Sequence, residues 1–357
     1  MLTDDGFQVW CLQNKIPAQT KASIERIRSS QPVRKVRSRA FMHRSTRVRC
    51  TEEIGMTNTT DPSATVNENP PTLRLVWPQW QGASVEAIRE FFPEVPFEEA
   101  RRGSAVGAAV LNAVLPTHSG PTALVPVESG DLGLGKQDGI EAKEAVIAQL
   151  AAALEVIGRH SPQRILTLGG ECSVSVAPFS WLADRYGDDL AVLWIDSHPD
   201  VGTPASHYSG YHAMAVAVLT GHGDPDVLRL LPATLDPSRV ALVGLHSWTE
   251  DDFPNAARWG IRSFRPDDLH LSSQPLLDWL KVSGCSRVAI HLDVDVVDSS
   301  EIVFGLGAEP DGLTSNEVRR LIADVSIVAD VVGLTIAEFV PRQVIRLQRA
   351  WRDFPLI

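Results

Sequence analysis

The amino-acid sequence predicts a three-layer α/β/α domain with a central, mostly parallel sheet. Short apolar runs rich in β-branched residues alternate with segments in which apolar residues recur at helical spacing, which is the pattern of βαβ units. The strand-like runs are continuously apolar, as expected for strands that helices cover on both faces. With 357 residues, of which 44% are apolar and 22% charged, the chain has the composition of an ordinary globular protein.

The predicted elements follow one another from about residue 72. We expect six strands, at 73–77, 164–168, 191–195, 239–245, 287–294 and 331–339. We expect five helices, at 139–158, 179–187, 212–221, 275–284 and 315–329. The sequence shows no internal repeat, so we expect one α/β domain over residues 71–357. Ligands of such sheets bind beyond the carboxyl ends of the strands, so the residues that follow each strand are the candidate functional residues.

Residues 1–70 differ in composition from the rest of the chain. Residues 1–55 carry 11 Lys and Arg against 5 Asp and Glu, whereas the remaining 302 residues carry 22 against 39. A stretch rich in Ser, Thr, Asn and Pro follows Met56. We therefore expect a disordered basic extension and linker over residues 1–70. The alternatives are a nucleic-acid or targeting arm, and a true start at Met56.

Charge and cysteine content narrow the class of function. The acidic body argues against nucleic acid or an anionic membrane as a partner, and suits a cationic ligand or a bound metal. No apolar run approaches the roughly 18 residues of a membrane span. The N-terminus shows no secretory signal pattern, and the four cysteines form no CxxC pair, so we expect a cytoplasmic protein.

Polar side chains follow four of the predicted strands. They are Glu171 and Cys172 after the second strand, Asp196, His198 and Asp200 after the third, Asp293, Asp295 and Asp298 after the fifth, and Glu338 after the sixth. Helix N-capping or solvated loop charges would explain single acids, but not so many converging carboxylates together with a histidine. Such a set suits two divalent ions that share bridging carboxylates, with Mn²⁺ as the expected metal.

Three short motifs carry the most specific signal: GGECS at 169–173, DSHPD at 196–200 and HLDVDVVD at 291–298. They resemble, in the same order, the GGDHS, DxHxD and DxDxxD motifs of the ureohydrolases, the arginase and agmatinase family. The agreement in order and spacing extends over roughly residues 120–345. The resemblance implies an arginase-like fold, a binuclear metal centre and a trimer or hexamer.

The resemblance also implies a role for each metal-binding residue. Asp196 and Asp293 would bridge the two ions. His198 and Asp295 would complete the coordination of one ion, and Asp200 would bind the other.

Position 172 departs from the family pattern. The family has a histidine there, which binds the second ion, and this chain has Cys172. A thiolate ligand would shift the metal preference toward Zn²⁺ or Fe²⁺. Alternatively, Cys172 is a small buried residue, and that ion is weakly held or absent. Asp298, the last residue of the third motif, would orient the ligands from outside the coordination sphere.

Two further residues match catalytic positions of the family. Glu338 matches the glutamate that pairs with the substrate guanidinium, a planar cation that suits a carboxylate; its alternative is an ion pair with Arg342. His212 matches the histidine that passes a proton to the leaving amine. Its alternative is a structural histidine at a helix start, with His207 as the competing proton donor.

The residues that bind the amino-acid end of arginine differ from those of arginases. Gly202 lies close after the DxHxD motif, where arginases have an asparagine, and Trp248 lies in the loop that supplies an aspartate in arginases. Gly202, Ser209 and Trp248 are therefore the candidate substrate-pocket residues, with a core position as the alternative for Trp248. We expect a small cationic guanidino substrate, such as agmatine, a guanidino acid or an N-hydroxylated arginine, hydrolysed to urea and an amine.

Two other functions compete with this hypothesis. A metal-dependent deacetylase has a related scaffold but needs an adjacent pair of histidines, which this sequence lacks. A catalytically silent homologue, which acts as a binding or structural protein, is favoured by Cys172 alone. Two bound ions per chain would indicate the hydrolase, and one or none would indicate the silent homologue.

Overall fold

The computed structural model describes residues 71–357, so the expected basic extension and linker over residues 1–70 lie outside the described residues. Eight strands lie in this part of the chain: β1 (Thr72–Trp77), β2 (Thr122–Leu124), β3 (Arg164–Gly169), β4 (Leu190–Ile195), β5 (Val240–Val243), β6 (Arg262–Phe264), β7 (Arg287–Asp293) and β8 (Asp330–Ala337). They form one sheet in the order β2-β1-β3-β8-β7-β4-β5-β6, and every pair of neighbours is parallel. The predicted α/β class is confirmed, with a sheet that is parallel throughout.

Helices connect the strands. They are α1 (Val85–Phe91), α2 (Phe97–Ala100), α3 (Gly103–Val114), α4 (Lys143–His160), α5 (Val176–Tyr186), α6 (Ala215–Leu219), α7 (Pro225–Leu228), α8 (Phe253–Trp259), α9 (Pro266–Leu269), α10 (Gln274–Ser283), α11 (Ser315–Val328) and α12 (Val344–Trp351). None of these described helices combines the length and the apolar character that crossing a membrane requires.

Both faces of the sheet are covered, which makes the three layers. Successive residues of β4 face opposite layers, as the two-residue period of a strand requires. Val192 and Trp194 lie in a core with α4 and α5, whereas Leu193 and Ile195 lie in a second core with α10 and α11. All six residues of β4 are buried, which explains why its sequence is continuously apolar.

All six predicted strands are present, and the elements that the sequence did not predict are short or atypical. β2 and β6 contain three residues each, too few to show a period. α3 contains Gly103 and Gly107, which weaken a helical signal. A Cβ at Gly107 would lie 1.6 Å from the main-chain oxygen of Phe339, so glycine there allows α3 to approach the end of β8. The predicted helix at 139–158 begins later, at Lys143, because Ala142 has a left-handed φ of 57°.

The topology brings the predicted functional residues together. β3, β8, β7 and β4 are consecutive neighbours at the centre of the sheet. Because they are parallel, their carboxyl ends share one edge, which is the usual location of ligand sites in such sheets. Cys172, Glu338 and Asp196 follow β3, β8 and β4, and Asp293 is the last residue of β7.

Candidate metal centre

The turn after β3 is held by a buried glutamate. Glu171 has no exposed surface, and it accepts hydrogen bonds of 2.8 Å from both the backbone N–H and the hydroxyl of Ser173. The side-chain amide of Gln79 donates to the same carboxylate. Gly170 permits a close approach to Gln79, since a Cβ would lie 1.7 Å from its main-chain oxygen. These contacts fix the turn that carries Cys172.

The thiol of Cys172 meets carboxylates from two other strands. Its Sγ donates to Oδ2 of Asp293 at 2.9 Å and lies 3.8 Å from Oε1 of Glu338. The other oxygen of Asp293 accepts from the backbone N–H of Asp295 at 2.8 Å. Cys172 is 2% exposed. The thiol is therefore a buried member of a carboxylate cluster. We use this name for the predicted metal ligands Cys172, Asp196, His198, Asp200, Asp293 and Asp295.

His198 lies between two of the predicted ligands. Its Nδ1 is 3.3 Å from Oδ2 of Asp295 and 3.5 Å from Oδ1 of Asp196. The hydroxyl of Ser197 donates to Asp295 Oδ1 at 2.6 Å and lies 2.9 Å from His198 Nδ1. One ligand atom from each of Asp196, His198 and Asp295 lies within 4.8 Å of the others, a spacing that one ion could span.

Asp200 contributes a carboxylate oxygen that the protein does not satisfy. Its main-chain oxygen accepts from the backbone N–H groups of Val216 and Ala217 at 3.0 and 3.3 Å, and its φ of 48° is left-handed. Its Oδ2 is buried and has no hydrogen-bond partner in the described part of the chain. A buried carboxylate oxygen without a partner is costly unless a cation compensates it.

The two predicted catalytic residues lie together beside the cluster. Nδ1 of His212 is 3.3 Å from Oε1 of Glu338, and its Nε2 shares a hydrogen bond of 2.7 Å with the hydroxyl of Tyr208. The backbone N–H of Glu338 donates to the oxygen of Gly170 at 2.7 Å, and Glu338 has a left-handed φ of 58°. The end of β8 is thus tied to the turn after β3.

Electrostatics show that the cluster is deficient in positive charge. Burial raises the pKa of the Cys172 thiol and of the Asp200 and Asp293 carboxyls well above their usual values, and the neighbouring carboxylates raise them further. Burial also raises the pKa of Asp196 to about 6. Each of these groups would ionise more readily beside a cation.

The pKa shifts of His198 and Asp295 favour the charged forms of both groups, because the two side chains lie side by side. Burial opposes the charged form of His198, but Asp295 and Asp196 outweigh it and hold the pKa of His198 well above its usual value. Burial likewise opposes ionisation of Asp295, yet His198 and Ser197 lower its pKa to about 2. An imidazolium thus does in part what a divalent cation would do for the whole cluster. The donor set of carboxylates, imidazole and thiol therefore fits divalent metal ions.

A cavity of about 410 Å³ opens onto the cluster. Its buried lining includes Cys172, Asp293 and Glu338, and its more exposed lining includes Glu86 and Glu90. Neither lysine nor arginine lines the cavity among residues 71–357. The cavity is therefore acidic from the cluster to its exposed rim.

Trp248 and His207 both line this cavity. The ring of Trp248 stacks on Phe253 with 4.6 Å between centroids, and the guanidinium of Arg265 lies 5.3 Å above it. Trp248 is 37% exposed, so it belongs to the wall of the cavity and not to the core. The backbone N–H of His207 donates to Asp251 at 2.7 Å.

Four predicted site residues lie outside the cavity lining: Asp196, Gly202, Ser209 and Asp298. A Cβ at Gly202 would lie 2.9 Å from a main-chain oxygen, and the main-chain oxygen of Ser209 accepts from Glu141 at 2.9 Å. The carboxylate of Asp298 accepts from the backbone N–H of Ser300 at 2.7 Å. This contact is with its own turn, and the orienting role that the resemblance implies for Asp298 stays a prediction.

The sequence did not single out His291, which lies within the cluster. This histidine has no exposed surface, and burial lowers its pKa to about 3. Its position two residues before Asp293 in β7 places both side chains on one face of the sheet, so strand alternation could have revealed it. Asp252 and Glu309 also line the cavity, but they lie on loops where no pattern indicates them.

Comparisons with known proteins agree with this geometry. The model of the arginase family matches residues 95–349. An arginase from Eremothecium gossypii is 29% identical over 191 residues, which cover 51% of this chain and 48% of that protein. An arginase from Agrobacterium fabrum is 31% identical over 185 residues, covering 49% and 56%. The chain thus spans about half the length of the curated relatives it matches.

Solved structures show the same fold at low identity. The arginase of Entamoeba histolytica in complex with L-ornithine has a TM-score of 0.62 at 15% identity, covering 78% of this chain and 94% of that one. Proclavaminate amidino hydrolase from Streptomyces clavuligerus has a TM-score of 0.57 at 19% identity, covering 79% and 88%. Because the family match extends over more than half of its residues, this chain belongs to the arginase family, whose members are hydrolases of C–N bonds in amidines and guanidines.

Proposed function

We propose that this protein hydrolyses a linear guanidino compound whose far end carries a second positive charge, and that it releases urea and an amine. One observation supports this most directly. A single cavity of about 410 Å³ joins the carboxylate cluster to the Glu338–His212 pair. The cavity therefore offers a place for metal ions, a carboxylate for a guanidinium and a proton donor side by side.

The proposed metal ligands are Cys172, Asp196, His198, Asp200, Asp293 and Asp295. Two divalent ions held there would supply Lewis acidity and a water of lowered pKa near neutral pH. The carboxylates fit Mn²⁺, and the thiol adds affinity for softer ions such as Zn²⁺ or Fe²⁺. In this proposal Ser197 keeps Asp295 and His198 in place through its hydroxyl.

Glu338 and His212 would act on the substrate itself. The carboxylate of Glu338 accepts hydrogen bonds from the planar guanidinium and so orients its carbon toward the cluster. Nδ1 of His212, 3.3 Å from Glu338, is then close to the guanidinium nitrogen that becomes the leaving amine. A proton passed from His212 to that nitrogen lets the C–N bond break. The hydroxyl of Tyr208 holds the other ring nitrogen.

The lining of the cavity supports a dication as substrate. Besides the cluster and Glu338, four acidic residues line it. Glu86 and Glu90 are exposed, Glu309 is partly buried and Asp252 is buried. Oδ1 of Asp252 is buried without a hydrogen-bond partner in residues 71–357. A ligand with a terminal carboxylate would meet four like-charged carboxylates there, and no arginine or lysine lines the cavity to pair with it.

The experiment is urea release from three guanidines of equal chain length, ending in an amine, a methyl or a carboxylate group, with protein loaded with Mn²⁺ or Zn²⁺. We expect kcat/KM to fall in that order. An Asp184→Asn variant, which changes one exposed carboxylate on α5, serves as the matched control. Absence of urea with all three substrates and both metals would contradict the proposed hydrolase.

A silent homologue is the second candidate, and the thiol of Cys172 is the observation that favours it. Its hydrogen bond with Asp293 satisfies the thiol without any metal. Metal content of the purified protein distinguishes the two functions, because the hydrolase requires two ions per chain.

The resemblance also implies a homo-oligomer, either a trimer or a hexamer. This stays a prediction, which light scattering can test. A cytoplasmic location also stays a prediction.

A further inference from the structure

The buried imidazole of His291 has no part in the chemistry described so far. It lies in β7 two residues before Asp293, on the same face of the sheet. Trp194, its register partner on β4, stacks on the ring with 3.6 Å between centroids and 9° between the planes. The imidazole is therefore held in one orientation, directly beneath the carboxylates that follow these strands.

The two ring nitrogens of His291 are in different situations. Nδ1 forms a hydrogen bond of 2.7 Å with the hydroxyl of Ser175. Nε2 is buried, and within the described residues it has no hydrogen-bond partner. Oδ2 of Asp196 is 3.9 Å from it, beyond hydrogen-bond distance. Buried nitrogens are rarely left unsatisfied, so this one calls for a partner that the protein alone does not provide.

We propose that Nε2 of His291 is a metal ligand, and that it binds the same ion as Cys172, Asp196 and Asp293. One ligand atom from each of the four lies within 4.8 Å of the others, and all four residues are buried. The inference rests on the metal centre of the proposed function and adds a ligand to it. The imidazole that the family pattern places at position 172 is supplied here by β7, which β8 separates from β3 in the sheet.

The contact with Ser175 supports this assignment. A histidine that binds a metal through one nitrogen usually donates from the other to an oxygen, which fixes its tautomer and its orientation. Ser175 accepts in that way when Nδ1 carries the proton, and Nε2 then presents its lone pair to the cluster. A set of one nitrogen, one sulfur and two oxygens suits Zn²⁺ or Co²⁺ better than Mn²⁺.

The test uses His291→Asn in the full-length protein, with Co²⁺ as the probe. Asparagine retains a polar atom near the position of Nδ1 for Ser175 and lacks an atom at the position of Nε2. Ser175 is left unchanged. We expect Co²⁺ to bind this site at least about 100-fold more weakly, more than the loss of an orienting contact alone. We also expect the thiolate-to-cobalt charge-transfer band of the wild-type protein to shift or vanish. An unchanged affinity and spectrum would overturn the proposal.

Two further measurements separate ligation from a fault in folding. The double variant Cys172→His/His291→Asn returns one imidazole to the site, so its Co²⁺ affinity should recover to within about 10-fold of wild type. A folded double variant that does not recover would count against the ligand role. In the unaltered protein, NMR with isotope-labelled histidine and cadmium should show metal–nitrogen coupling for two histidines, His198 and His291. Coupling to His198 alone would overturn the assignment.

All of these measurements are made without substrate. Their outcome is therefore independent of whether the protein releases urea from a guanidine.

Discussion

The thiol of Cys172 and the carboxylate of Asp293 lie 2.9 Å apart and join the ends of β3 and β7 at the centre of the sheet. Burial and the surrounding carboxylates hold the pKa of this thiol far above its usual value. A metal ion that binds between the two groups must displace the shared proton. The identity of residue 172 therefore affects both which metal binds and how readily it binds.

Cys172→His should keep or raise the activity supported by Mn²⁺, because imidazole is a harder donor than thiolate and requires no deprotonation near neutral pH. We expect the Kd for Mn²⁺ to fall by about 10-fold relative to that for Zn²⁺. Competition titrations with both metals measure the ratio. A folded variant with weaker Mn²⁺ binding would show that the site is adapted to the thiol.

Asp196→Ala and Asp293→Ala should each abolish turnover, because each carboxylate is expected to bridge both ions. The loss in kcat/KM should exceed the roughly 10–100-fold typical of residues outside the coordination sphere. Steady-state urea release, together with metal analysis, gives the result. Turnover close to wild type in either variant would rule out a binuclear centre at this position.

Glu338→Gln should impair binding of the guanidinium while leaving metal content unchanged. The amide keeps the size of the side chain but loses the charge that a guanidinium needs, which weakens a charge-assisted pair by roughly 1.5–3 kcal/mol. We expect kcat/KM to fall by at least about 10-fold. Loss of metal from this variant would mean that Glu338 serves the metal centre and not the substrate.

Asp252→Asn should affect only substrates with a positively charged far end. Removing the charge from this nearly buried carboxylate should lower kcat/KM for the amine-terminated guanidine by roughly 10-fold. The methyl-terminated guanidine should react at an unchanged rate. The ratio between the two substrates is the measured quantity, and Asp184→Asn provides the control. Equal effects on both substrates would place Asp252 outside the specificity pocket.

The contribution of Asp196 to the stability of the metal-free protein should fall as the pH rises from about 4 to 7. The pKa of Asp196 rises from its ordinary value of 3.8 to about 6 in the folded protein. Between these values the folded state binds more protons than the unfolded state, so the free energy of unfolding decreases with rising pH. Thermal melts of wild type and Asp196→Asn across this range isolate the effect, because the variant lacks this titration. A constant difference between the two would contradict it.

How far the sequence predicts the site depends on the kind of signal. β4 is continuously apolar and leads into Asp196, and β7 has an apolar run that ends at Asp293, so strand and site residues could be predicted together. His291 was missed because a single histidine inside an apolar run is typical of a strand interior. The role of Asp298 beside the ligands was implied by the family resemblance alone. Its backbone N–H donates to the oxygen of Leu313 at 2.8 Å and its carboxylate accepts from Ser300, so local turn contacts set its position.

The short edge strands and the loops were not predictable from the local sequence pattern. β2 and β6 have three residues each, so pairing with a neighbour and not local pattern decides their structure. Asp252 and Glu309 reach the cavity from loops, whose paths depend on tertiary contacts that no local spacing encodes. The substrate end of the site was therefore less predictable than the metal end.

Two of the carboxylates on the cavity wall, Asp200 and Glu338, have left-handed backbones, with φ of 48° and 58°. Glycine adopts this conformation freely, whereas other residues are strained there by about 1 kcal/mol or more. Evolution toward stability alone would thus favour glycine at both positions and would remove both carboxylates. Stability and catalysis therefore make opposite demands on these two residues. In a lineage that is no longer selected for catalysis, these two acids would be lost early.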